Sequence, residues 1–154
     1  MTKYITILAA LAAMFAVGSA LAANTERVVS TTKNASLGKT VLVNLQGRTL
    51  YSLSVERKGK FICTDETCLS FWHPLVVKAG VTPTGAKSLA TVRRPDGRRQ
   101  VTYRGGPLYT FSGDHRRGDA KGEGFKDVGV WHAAAFGASA PPPATTTTGG
   151  GYYP

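Results

Sequence analysis

Apolar and polar positions alternate along most of this chain rather than recurring at helical spacing. Val41, Val43 and Leu45 interleave with Leu42, Asn44 and Gln46 before Gly47, and the chain resumes as Leu50-Tyr51-Ser52-Leu53. Aromatic and β-branched residues at period two, bounded by glycine, predict a β-hairpin. Val101 and Tyr103 flank Thr102 in the same way before Gly105-Gly106. A further hairpin is predicted where Leu89-Ala-Thr-Val-Arg93 and Arg99-Gln-Val-Thr-Tyr103 enclose Pro95-Asp96-Gly97. There proline presets the first turn dihedral and glycine takes the left-handed position. One short helix is expected over about 65–72, capped by Thr64 or Asp65, with Glu66 favourable in its first turn and Pro74 ending it. The expected fold is mainly β: a small antiparallel β domain with one short helix.

The pattern occurs twice. Val43-Asn-Leu-Gln-Gly47-Arg-Thr-Leu50-Tyr51-Ser-Leu53 aligns with Val101-Thr-Tyr-Arg-Gly105-Gly-Pro-Leu108-Tyr109-Thr-Phe111, and the same offset of 58 sets Glu56 opposite Asp114. One inserted residue then brings Phe71-Trp72-His73 opposite Val130-Trp131-His132, so both tryptophans of the chain fall at equivalent places. Self-similarity on this scale indicates an internal duplication. The domain is therefore expected over 38–137 as two pseudo-equivalent repeats, about 40–77 and 98–136.

The flanks differ from this core. Met1 to Ala22 combines Lys3, an apolar run from Ile5 to Val17 and the small-residue exit Ala20-Leu21-Ala22, the pattern of a secretory signal peptide. The run is too short for a bilayer span of about 20 residues, so no transmembrane segment is expected in the mature chain. Residues 23–37 are polar apart from a short apolar patch at Val28-Val29 and are expected as a flexible leader with room for one edge strand. Residues 138–154, ASAPPPATTTTGGGYYP, cannot bury a core and are expected as a disordered Pro/Thr/Gly tail. Such an exported chain is periplasmic or secreted.

The matched residues resemble the bacterial secreted-repeat family described as predicted lipoproteins with a Yx(FWY)xxD motif. The second copy carries the motif in full from Tyr109 through Phe111 to Asp114, followed by Trp131-His132. The first copy reads Tyr51-Ser-Leu53-Ser-Val-Glu56, with Leu53 for the aromatic and Glu56 for the aspartate, and then Trp72. Its Cys63 and Cys68, followed by Trp72 and Pro74, resemble the family's cysteine pair. No cysteine precedes Cys63, so the chain departs from a lipoprotein. The family has no settled activity, and the resemblance implies an exported module rather than a reaction.

Cys63 and Cys68 are an even pair in an oxidising compartment, which favours a structural disulfide. A metal site made of the thiolates and His73, or a redox pair, is the alternative, although C-x4-C is wider than the usual spacing. The Trp-His pairs offer a weak alternative metal, haem or quinone site at His73 and His132. Alternation along a strand instead predicts a buried Trp beside an outward His. Tyr109 needs a partner if buried, and Asp114 is the candidate. Between Gly113 and Asp127, four acids interleave with basic residues without the spacing of a calcium loop.

Charge completes the picture. The formal net charge is +10, which favours anionic envelope polysaccharide or a lipid surface, with a protein partner as the other expectation. Arg93, Arg94, Arg98 and Arg99 around one hairpin tip, with Arg116 and Arg117 in the later loop, are the candidate anion-binding residues. Aromatics are not interleaved with them, which argues against nucleic acid as a partner. No Ser/His/Asp motif, phosphate-binding glycine loop or HExxH is present, so no catalytic residue and no cofactor is expected. The expectation is a non-enzymatic envelope module; the alternative is a periplasmic metal or redox protein using the Trp-His pairs or cysteines.

Overall fold

The computed structural model describes residues 24–137. The expected signal peptide, up to Ala22, and the expected tail, from Ala138, lie outside the described residues. Residues 25–34 correct the leader expectation. They form β1 (Thr25–Arg27) and β2 (Val29–Asn34), and Val28 and Val29 are buried. The segment looks polar because only its ends face inward: along β2, Val29 and Asn34 are buried while Thr31, Thr32 and Lys33 are exposed. Asn34 is held by donating from Nδ2 to the Gly118 carbonyl at 3.0 Å.

Beyond the leader follow β3 (Lys39–Asn44), β4 (Tyr51–Leu53), α1 (Glu66–Phe71), β5 (Trp72–Pro74) and β6 (Val76–Val77). Then come β7 (Thr82–Thr84), β8 (Leu89–Arg93), β9 (Arg99–Tyr103), β10 (Gly106–Pro107), β11 (Tyr109–Phe111) and β12 (Trp131–Ala133). The fold is mainly β and antiparallel, with β1–β7 a parallel pair. The β8–β9 hairpin turns at Gly97, whose φ of 85° is the left-handed conformation expected of it. In α1, the Asp65 side chain accepts from the Cys68 N–H and caps the helix.

Two apolar clusters form the core. Alternation along β3 sends Val41 and Val43 into one, with Tyr51, Trp72, Tyr109 and Trp131, and sends Leu42 into the other, with Val29, Leu50, Val101 and Leu108.

The duplication is legible in the backbone. Ala134 N–H donates to Leu50 O, and Leu75 N–H donates to Leu108 O; Leu42 N–H donates to Ala134 O, and Val101 N–H donates to Leu75 O. These matched bonds make Val101 the counterpart of Leu42, not of Val43 as the sequence alignment places it. The first hairpin holds one extra residue between that position and its partner leucine, and a gap inside a turn leaves no mark on an ungapped comparison.

The halves do not sit side by side. The central sheet runs β12-β4-β11-β5. The tyrosine strand of each repeat pairs with the tryptophan strand of the other: Trp131 opposite Leu53 and Ala133 opposite Tyr51, Phe111 opposite Trp72 and Tyr109 opposite Pro74. At the centre, Tyr51 faces Tyr109 across β4 and β11. Each repeat thus completes its partner's sheet.

Candidate functional site

The crossing sets the chemistry of the motif residues. Tyr51, Tyr109, Trp72 and Trp131 have no solvent exposure, so both phenol hydroxyls require partners. Tyr51 donates to Asp114 Oδ2 at 2.6 Å and Tyr109 donates to Glu56 Oε2 at 2.8 Å. Sequence proximity suggested Asp114 for Tyr109. That pairing is corrected: each tyrosine takes the carboxylate of the other repeat, because the crossed strands carry it there.

Both carboxylates are buried and further satisfied by backbone. Glu56 Oε1 accepts from Ile62 N–H at 2.6 Å and Cys63 N–H at 2.7 Å, and Asp114 Oδ1 accepts from Lys121 N–H at 2.9 Å. In both repeats the carboxylate accepts from the N–H seven residues on, so glutamate substitutes for aspartate in the first motif without loss of the arrangement. Burial, reinforced by the adjacent Asp114, pushes the Tyr51 phenol well above its ordinary range. Burial and the Glu56 charge do the same to Tyr109, against the opposing pull of Arg94.

The indoles stack at the centre. Trp72 and Trp131 lie 3.7 Å apart between ring centroids at 6°, Tyr51 meets Trp72 edge-on at 5.5 Å, and Tyr109 meets Trp131 edge-on at 5.1 Å. Phe111 packs on Trp72 at 4.5 Å, occupying the aromatic place of the motif. Among the described residues neither indole N–H has a hydrogen-bond partner.

Cys63 and Cys68 form the expected disulfide, their Cα atoms 5.4 Å apart. It ties α1 to the segment whose N–H groups hold Glu56. The histidines point away from the tryptophans as alternation requires: His73 is exposed, and His132 is about one-third exposed, its Nδ1 3.1 Å from Glu123 Oε1. They occupy β5 and β12, opposite edges of the four-stranded sheet, so the structure does not bring them together. Among the described residues no group of three or more His, Cys, Asp or Glu is arranged to hold a metal. In the later loop, Asp119 accepts from His115 and Arg116 N–H, and Glu123 accepts from Ala133 N–H, so those acids serve the backbone instead of converging.

The six arginines divide. Arg94 is buried, a correction to its place in the basic cluster: it donates to Tyr109 Oη at 3.1 Å, to Cys63 O at 2.8 Å and to Gln100, and lies over the Phe61 ring. Arg98 is half-exposed and paired with Asp96 at 2.8 Å. That hydrogen bond lowers Asp96 to about 2. Arg93, Arg116 and Arg117 are exposed and Arg99 is partly so. Arg99 lines a cleft of about 370 Å³ with Thr82, Leu89 and Thr91. Arg117 lines a separate cleft of about 230 Å³ with Thr31, Asn44 and Leu45. Sequence reasoning missed Arg48, whose Nη1 donates to the Asp114 carbonyl, and Gln100, which braces Arg94 and donates to Leu108 O. A glutamine beside the apolar positions of an expected strand, Arg99-Gln-Val-Thr-Tyr103, is the signal that was available for the second.

Comparison with known proteins falls on the second of these crossed units. Residues 90–135 match a family described as a secreted repeat of unknown function. This is the family the motif residues resemble. The match runs from β8 to β12, covering Tyr109, Phe111, Asp114 and Trp131 but not their partners Tyr51, Glu56 and Trp72. No curated protein and no solved structure matches the chain. The secreted repeat together with the disulfide describes an exported protein, and no helix among the described residues is long and apolar enough to cross a membrane.

Proposed function

We propose that the protein is a cell-envelope module, periplasmic or secreted, which acts by binding a polyanionic envelope surface and not by catalysis. The observation that carries this is the partition of charge. Glu56 and Asp114 are spent inside the fold on tyrosines and backbone, against one buried guanidinium at Arg94. Among the described residues, burial of two acids against one arginine leaves the exterior one positive charge more basic than the chain as a whole. Arg93, Arg99, Arg116 and Arg117 supply the exposed guanidinium groups, which suit phosphate and carboxylate. The crossed repeats supply a stiff platform for them.

The test is binding of the mature chain to an acidic polysaccharide and to anionic lipid vesicles across a salt series. Exposed charges are screened beyond about 8 Å at physiological ionic strength, so affinity should fall steeply as salt rises. Arg99→Glu combined with Arg117→Glu should weaken it about tenfold or more, and Arg98→Glu, where Asp96 already neutralises the charge, should matter less. Salt-independent binding, or none to either surface, contradicts the proposal.

A further inference from the structure

Tyr51, Trp72, Trp131 and Tyr109 form an unbroken file of buried redox-active rings, at successive centroid separations of 5.5, 3.7 and 5.1 Å. Its proton chemistry is graded along the file. Among the described residues the indole N–H groups of the two inner rings have no acceptor, so an indole that loses an electron keeps its proton and remains a cation radical, able to pass the hole on. The two outer rings each hold a hydroxyl on a carboxylate, at 2.6 and 2.8 Å, so a tyrosine that loses an electron gives its proton to that carboxylate and traps the hole as a neutral phenoxyl. Mobile in the middle and trapping at the ends is the arrangement of a relay.

We propose that these four residues are a one-electron relay, in which a hole taken from an oxygen-derived radical oxidant reaches the tryptophan pair and settles on Tyr51. The steps balance. The oxidant gains one electron from an indole; that indole regains one from Tyr51, whose proton passes to Asp114. A phenol- or quinol-type reductant then supplies one electron, Asp114 returns its proton to Tyr51, and the reductant's own proton leaves to solvent. Tyr51 is favoured over Tyr109 by charge. The Arg94 guanidinium sits 3.1 Å from the Tyr109 hydroxyl and opposes its oxidation, whereas Arg48 reaches the Asp114 carbonyl and not Tyr51, whose electrostatic neighbours are the acids Asp114 and Glu123. The relay is independent of the basic surface.

The experiment is pulse radiolysis of the full mature chain, disulfide intact, with azide radical as the one-electron oxidant, following the tryptophan cation-radical and phenoxyl absorption bands. The cation-radical signal should decay at a rate independent of protein concentration, with matching growth of phenoxyl. Tyr51→Phe should slow that conversion at least tenfold and Tyr109→Phe much less. Tyr109→Phe also serves as the folding control, since it removes the equivalent buried hydroxyl of the other repeat. Asp114→Asn should slow the conversion while leaving the tryptophan cation-radical yield intact, and Tyr103→Phe, Tyr152→Phe and Tyr153→Phe should leave the conversion unchanged. Conversion that keeps the parent rate in Tyr51→Phe, or that is lost with any of those three other tyrosines, overturns the proposal.

Discussion

Tyr51 and Asp114 stand 63 residues apart in sequence and 2.6 Å apart at hydroxyl and carboxylate, joining the first repeat to the second. Tyr109 and Glu56 return the bond at 2.8 Å. The motif shared by the two repeats is thus a clasp between them, and neither repeat contains a complete pair.

Separation of the halves should therefore abolish folding. Residues 24–86 alone lose the partners of Tyr51 and Trp72, and 87–137 alone lose those of Tyr109 and Trp131. Pieces of that size are near the limit at which a core is self-sufficient. Neither should show a cooperative thermal transition at low concentration; a sharp melt from either refutes the interlocked account.

Alkali should unfold the domain through its tyrosines. Both buried phenols have folded-state pKa values raised above the ordinary 10.0. Their stabilising contribution is therefore full below about pH 10 and lost as pH rises beyond it. Each should contribute a slope of about 1.4 kcal/mol per pH unit while it stays protonated in the fold. Urea midpoints from pH 9 upward check this. Tyr51→Phe with Tyr109→Phe should flatten the slope, and an unchanged slope contradicts the burial of the two hydroxyls.

Replacing both cysteines with serine should cost about 2 kcal/mol, the loop-entropy value for so short a ring. The loss should reach Tyr109 as well, since Cys63 donates to Glu56 and accepts from Arg94. Denaturant unfolding of the oxidised and variant chains gives the number. A variant as stable as the parent places the disulfide outside the core.

Gly85→Ala tests the N-terminal strand. Gly85 has φ 117°, and a Cβ there falls 1.9 Å from the Val29 carbonyl oxygen. The strain alone is about 1–3 kcal/mol, and β2 must also move. The variant should be among the most destabilised single substitutions in a melting screen; a near-neutral result restores 23–37 as a dispensable leader.

The repeat, its strands, the helix cap and the outward histidines were legible because each is local: side-chain identity at fixed spacing, or alternation along one strand. The crossing was not. Equivalent residues such as Tyr51 and Tyr109 reveal duplication, but a carboxylate in either copy satisfies the same pattern, and only topology decides which copy supplies it. Arg94 was hidden for a related reason. It is one of four arginines around a hairpin tip, and nothing in its neighbours distinguishes the one that turns inward to Cys63 O and Tyr109. Val28 and Val29 were visible as an apolar patch, yet the polar run after them masked a strand with one buried face.

Double-mutant cycles at the clasp test the central claim most directly. Stability is measured by denaturant unfolding for Tyr51→Phe, Tyr109→Phe, Glu56→Gln and Asp114→Asn, singly and in every tyrosine–carboxylate pair. Each single change leaves a buried polar group without its partner and should cost about 1–3 kcal/mol. The account predicts coupling of about 1 kcal/mol or more for Tyr51 with Asp114 and for Tyr109 with Glu56, and clearly smaller coupling for Tyr51 with Glu56 and Tyr109 with Asp114. Larger coupling within each repeat than between them would contradict the crossed arrangement.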